Sequence, residues 1–274
     1  MQERQVNVMS KEQDNLFTLE LVYKTDGMKH VVIEKNLHYS NIINNELTMD
    51  VYYNKDANHE ALKPVVIFVT GYPDPGFSAI TGLKLKEVAQ YISWAKLIAA
   101  SGFIALTYTN VDPVIDLNSL LLHIVNNGAT LGIDKDKICI WSCSGNTPNA
   151  MSLLMNKQNS FIKCAVLCYG YMPDVAESSI TSDAARQFHF VNPAQHIAND
   201  LKTTTLIVRC GQEAMPGLNA SIDKFVVTAL ARNLPITLIN LPHAPHAFDI
   251  VDNSEYSHEA IKCILSFIKS KFET

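Results

Sequence analysis

Ile138-Cys139-Ile140-Trp141-Ser142-Cys143-Ser144-Gly145-Asn146-Thr147 decides the fold. Its first four residues are apolar without a break, as in a strand buried on both faces. Small or turn-forming residues follow, and a helical pattern begins at about Thr147. A chain that passes straight from a buried strand into a helix makes a sharp, strained turn, and strand and helix lie close together. The positions two before and two after the apex must then be small. With Ser142 at the apex, Ile140 would crowd the turn; with Cys143 there, Trp141 would. Only Ser144, flanked by Ser142 and Asn146, fits. Asn146 is larger than the glycine such a turn favours, and the tolerance of Asn for left-handed backbone is expected to accommodate it.

Outward from this turn, strands and helices alternate. On the N-terminal side, Val65–Val69 is a second continuous apolar run after Pro64. Leu85, Val88, Ala89, Ile92, Ala95 and Ala99 share one helical face, stopped by Ser101-Gly102. Phe103–Tyr108 reads as a strand. Asp112 and Pro113 open a helix as N-cap and first residue, and Gly128 ends it. Past the turn, strands are expected at Cys164–Tyr169, Thr204–Cys210 and Ile236–Leu241. A helix carries Leu218, Ile222, Phe225, Val226 and Ala229, and a last helix is capped by Ser254. Such βαβα order demands a mostly parallel sheet with helices on both faces. Three alternating runs, Leu16–Thr25, His30–Lys35 and Leu47–Asn54, suit an antiparallel N-terminal edge with one wet face. Residues 1–15 are polar and expected to fray. The weakly periodic stretch 171–201 reads as a lid inserted between two strands of a single domain spanning 16–274.

Bulk properties exclude several classes. Of 274 residues, 47% are hydrophobic and 18% charged, enough apolar content for a large core and too little charge for wholesale disorder. A net charge of −5 without a Lys/Arg run argues against nucleic-acid binding. No apolar leader region and no run approaching 18 apolar residues is seen, so neither a signal peptide nor a membrane span is expected, and a cytoplasmic location is. The six cysteines, Cys139, Cys143, Cys164, Cys168, Cys210 and Cys263, lie in strand or helix patterns and read as free, buried thiols. Neither C-x-x-C nor H-E-x-x-H occurs, so no metal is expected, and nothing indicates a cofactor.

The turn resembles the G-x-S-x-G nucleophile elbow of the α/β-hydrolases, with Ser142 and Asn146 in place of both glycines. Leu131-Gly132-Ile133-Asp134, Ile138 and Trp141–Ser144 resemble the helix end, strand and elbow of esterase and dienelactone-hydrolase-like members, and the likeness runs from about Asp50 to the C-terminus. It implies the α/β-hydrolase fold and a chain order of nucleophile, acid, base. Ser144 would be the nucleophile. His246, in Pro245-His246-Ala247-Phe248-Asp249, would be the base, since this wording resembles the family's H-G-F-D; His243 competes. Gly211-Gln212-Glu213 resembles the family's G-x-D, which makes Glu213 the acid, with Asp174 and Asp249 as alternatives. Thr70-Gly71-Tyr72 resembles the family's H-G loop. Pro73 has no N–H, so Tyr72 and Gly145 would supply the two oxyanion donors, and Gly71 lets the loop turn.

The resemblance implies a serine hydrolase of carboxylic esters working through an acyl-enzyme. Alternatives are cysteine catalysis by Cys143, which is out of frame, an inactive binding protein on the same fold, and acyl transfer or lactone hydrolysis on the same triad. A small-molecule ester is the expected partner. Tyr171, Met172, Phe188, His189 and Phe190, with Tyr72 and Phe77, could line an apolar pocket favouring short or medium uncharged esters. Arg186 and Arg209 are candidate carboxylate anchors. An apolar last helix or lid is compatible with a homodimer.

Overall fold

The computed structural model describes residues 16–40, 47–55, 61–156, 159, 161–175, 177–193 and 201–273. The expectation for residues 1–15, and for part of the lid (176 and 194–200), lies outside them. Eight strands, β1 (Val31–Ser40), β2 (Leu47–Asn54), β3 (Lys63–Phe68), β4 (Ile104–Tyr108), β5 (Ile133–Cys143), β6 (Ile162–Cys168), β7 (Thr204–Gln212) and β8 (Ile236–Pro245), form one sheet in the order β1-β2-β4-β3-β5-β6-β7-β8. The β1–β2 and β2–β4 pairs are antiparallel, and all others are parallel.

Helices cover both faces: α1 (Asp74–Thr81), α2 (Ala89–Ala100), α3 (Pro113–Asn127), α4 (Thr147–Leu154), α5 (Ile180–Phe188), α6 (Leu218–Ala231), α7 (Phe248–Val251) and α8 (Glu255–Phe272). The apolar stripes explain the sides. Leu117, Leu120, Leu121 and Ile124 of α3 join Ile222 and Phe225 of α6 in one core. Trp94 and Ile98 of α2 join Ile261, Ile264 and Ile268 of α8 in the other. The apolar stripe of the last helix is therefore spent on the sheet. The central strands β3 and β5 feed both cores through alternate residues, which is why they read as unbroken apolar runs. Asp112 caps α3 by accepting from Val114 and Ile115 N–H, and Ser254 caps α8 by accepting from Ser257 N–H. No described helix is long and apolar enough to cross a membrane.

Three expectations differ from the structure. Leu16–Thr25 is not a strand; it is an irregular arm held by Ala89 N–H to Phe17 O, Leu21 N–H to Ser93 Oγ and Val22 N–H to Asp249 O. Its alternation arises because Leu21 enters the core and Phe17 and Leu19 pack partly buried against it. The helical stripe from Leu85 is broken: Leu85–Glu87 forms a 3₁₀ turn, and α2 starts at Ala89. All six cysteines are free as expected, but Cys263 is exposed, on the wet side of α8.

A buried ion pair fixes the antiparallel edge. Lys86 Nζ donates to Asp50 Oδ1 and Asn36 Oδ1, each at 2.7 Å. Asp50 Oδ1 also accepts from the Asn36 N–H, where β1 kinks with Asn36 at φ +59°. Both charged side chains are buried, so removing one strands the other. Lys86→Met is expected to cost about 3 to 5 kcal/mol in urea unfolding, the range for breaking a buried pair; a loss below about 1 kcal/mol would show that water reaches Asp50.

Candidate active site

Ser144 directly follows β5 at the C-terminal edge of the sheet's parallel part, where loops from several strands converge. It has φ +52° and is half-buried. The apex is therefore the left-handed residue, and Asn146 is not: it sits at φ −81°, ψ −19°. Expecting Asn146 to be tolerated for its left-handed propensity was wrong in its reason. A short 3₁₀ turn, Ser144–Asn146, leads into α4, and the Ser144 carbonyl accepts from Tyr171 N–H.

Strand register brings the next two residues together. Gln212 of β7 pairs with Pro245 of β8 across an irregularity after Cys210, so the residues that follow, Glu213 and His246, face each other. Glu213 Oε2 lies 2.6 Å from His246 Nδ1, and Glu213 Oε1 accepts from Met215 N–H. The Glu213 side chain is 1% exposed and that of His246 26%, so the acid is dry and the imidazole is reachable. His243 is exposed on β8.

The other acid candidates are occupied. Asp174 accepts from the N–H groups of Thr181 and Ser182 at the start of α5 and from Ser182 Oγ. Asp249 is buried beneath His246's loop. It accepts from Gln90 Nε2, Trp94 Nε1 and the Tyr169 hydroxyl. Burial pushes its carboxyl up, and these three donors oppose the shift. Tyr169 (φ +36°) sets its ring edge-on against the His246 imidazole, with centroids 4.9 Å apart. No sequence signal marks Tyr169, because its role depends on β6 and β8 lying two strands apart.

A full accounting of the loop after β3 singles out one donor. Thr70 N–H donates to the Tyr108 hydroxyl, and Thr70 O accepts from Asn149 Nδ2. Gly71 N–H donates to Asn146 Oδ1 at 2.7 Å, and Gly71 O accepts from Val191 N–H at 2.9 Å. Tyr72 O accepts from Asn110 Nδ2. The Tyr72 N–H has no such partner among the described residues. Gly145 N–H, in the first turn of its helix, is likewise left over by the i→i−3 pattern.

Cys143 points away from this opening. Its thiol is buried among Tyr91, Asn146 and Tyr169, and burial pushes it up to about 12, so it stays protonated at neutral pH. The pocket expectations divide. Tyr72, Phe77, Tyr171 and Phe190 form an aromatic cluster, with Tyr171 stacked on Phe190 at 5.4 Å and Tyr72 packed between Phe77 and Phe190. Phe188 packs partly buried against the core. Met172 is wholly buried, its N–H on Ser221 Oγ and its carbonyl on Thr181 Oγ1, and Tyr171 and Phe190 are buried as well. Nor are the arginines free. Arg186 pairs with Asp183, and Arg209 with Asp223 and Asn240. Among the described residues no group of three or more His, Cys, Asp or Glu is placed to hold a metal ion.

No family model matches the sequence, and no curated protein does. Solved structures do match. A bacterial heroin esterase superposes with a TM-score of 0.71 at 14% identity, over 91% of this chain and 87% of that one. The esterase Est22 gives 0.70 at 15% identity, over 98% and 90%. Est2 of the planctomycete Thermogutta terrifontis, also solved phosphonylated by sarin, gives 0.64 at 16% identity, over 87% and 91%. What the chain shares with these proteins is the α/β-hydrolase fold.

Gly145 is glycine for a reason visible only in the fold. A Cβ there would fall on the Tyr72 hydroxyl and lie 2.7 Å from Phe190 Cδ1. Gly145→Ala is expected to destabilise by about 1 to 3 kcal/mol, as overpacking does, and adding Tyr72→Phe should recover part of that loss in thermal unfolding. Equal stability of Gly145→Ala and wild type would place Tyr72 elsewhere.

Proposed function

We propose that the protein is a serine esterase in which Ser144 is the nucleophile, His246 the base, Glu213 the orienting acid, and Tyr72 and Gly145 the oxyanion donors. The observation that carries it is the convergence on one sheet edge of a left-handed serine, a histidine held by a dry carboxylate, and two backbone N–H groups without a partner among the described residues. Glu213 fixes the imidazole with its proton on Nδ1, leaving Nε2 to accept the Ser144 proton. Ser144 Oγ then attacks the ester carbonyl. The carbonyl oxygen becomes an oxyanion beside Tyr72 N–H and Gly145 N–H. Collapse expels the alcohol, which takes its proton from His246, and an acyl-enzyme remains. Water activated by His246 attacks it, releasing the acid and free Ser144.

The segment 171–193 serves in this reading as a cap whose Tyr171 and Phe190 form an aromatic wall with Tyr72 and Phe77. Arg186 and Arg209, the two arginines weighed as carboxylate anchors, are paired elsewhere. In this reading the substrate is a small uncharged carboxylic ester.

A fluorophosphonate ester should label Ser144, mapped by peptide mass spectrometry, and His246→Ala should abolish the label. Full hydrolysis by Ser144→Ala would sink the assignment. Glu213→Gln keeps the shape but favours the wrong tautomer, so kcat should fall on the order of 10⁴-fold, as for the acid of a Ser-His-Asp triad. Short uncharged esters should show higher kcat/KM than esters carrying a carboxylate; the reverse order would refute the apolar wall.

A further inference from the structure

Asn146 stands two residues after Ser144, where the elbow pattern has glycine. The left-handed geometry that would explain a glycine is absent, since Asn146 is in ordinary right-handed helical backbone. Its side chain is buried, and Oδ1 accepts from Gly71 N–H at 2.7 Å. One side chain thus ties the turn after β5 to the loop after β3.

That loop needs a tether at this spot. Gly71 is buried against the elbow, so close that a Cβ on it would lie 2.8 Å from both Asn146 Cα and Gly145 O. Buried N–H groups require an acceptor, and the Gly71 N–H has Asn146 Oδ1. The next peptide carries the uncommitted Tyr72 N–H. Its carbonyl, Gly71 O, is held from the opposite side by Val191 N–H. In a trans peptide the N–H and C=O point in opposite directions. Holding Gly71 at its N–H and at its C=O therefore fixes where the Tyr72 N–H points.

We propose that Asn146 is a positioning residue that aims the Tyr72 N–H at the developing oxyanion by anchoring Gly71. The idea rests on the serine-esterase reading above. An acceptor at this position replaces the conformational role of glycine with a hydrogen-bonding one. Asn146 touches no reacting atom in this scheme. Its loss should weaken transition-state binding and leave ground-state binding of the ester nearly unchanged.

The test uses the full chain, with p-nitrophenyl acetate as substrate and an alkyl trifluoromethyl ketone as a tetrahedral-adduct probe. In Asn146→Ala and Asn146→Gly, kcat should fall about 10- to 100-fold, less than the roughly 10²- to 10³-fold loss of a direct oxyanion donor. KM should stay within about threefold, the pattern of an interaction made in the transition state. The inhibition constant of the ketone should rise in step with the fall in kcat. Alanine and glycine should behave alike, since both lack the acceptor while only glycine frees the backbone.

A second variant replaces Gly71 by its α-hydroxy analogue, so that an ester oxygen takes the place of its N–H. It should reproduce the effect, and combining it with Asn146→Ala should add little, because both break one bond. If the Asn146 variants fail to fold, the Gly71 backbone ester decides alone. Wild-type kcat in either kind of variant, a change in KM only, or full additivity overturns the proposal. A wild-type chain that hydrolyses no ester and takes no fluorophosphonate overturns the serine-esterase reading itself, and this one with it. An active wild type with unaltered variants overturns this one alone.

Discussion

Ser144 holds φ at +52° between the buried end of β5 and a helix, a conformation that costs an L-residue about 1 to 3 kcal/mol and persists only where its surroundings over-determine it. Here they do so by crowding. Gly71 of the loop after β3 lies on the elbow backbone, and Gly170 after β6 has its missing Cβ position filled by Thr147. Neighbouring segments reach the turn because they lack side chains there. The sheet order, with β5 between β3 and β6, delivers both of them. A strained apex, two glycine contacts and a central strand are thus one constraint seen from three sides.

The rest of the site is built on the same edge with little freedom left. Asn110, Asn146 and Asn149 all bond the backbone of residues 70–72. Asp249, from the stretch that resembles H-G-F-D, holds Tyr169 beneath His246 instead of competing with Glu213. Burying a carboxylate without a cation is costly, and three hydrogen-bond donors offset that cost. The result is firm support for an imidazole that itself stays partly exposed.

Phe190 packs on Tyr171 and Tyr72, and the next residue, Val191, donates its N–H to Gly71. The segment whose aromatic rings pack on Tyr72 therefore also holds the loop carrying the proposed oxyanion donor.

The sequence by itself determined most strands of the sheet, its longer helices and the frame of the turn after β5, because these are local. Unbroken apolar runs mark β3, β5 and β6, helical stripes mark α3, α6 and α8, and steric limits on a strand-to-helix turn leave Ser144 alone at its apex. The pairing of His246 with Glu213 was legible through resemblance, since the loops after β7 and β8 are fixed places in such a sheet. Other features came from contacts between distant segments. The arm at Leu16–Thr25 has a strand's alternation, yet it packs without a strand partner. Tyr171, Met172 and Phe190 read as pocket residues and are buried. Asn146 looks like a tolerated oddity, and its bond to the Gly71 N–H, 75 residues earlier, appears only in the fold. Only the tertiary structure could decide these, because a hydrogen bond depends on distance and direction, and neither is written in the order of residues.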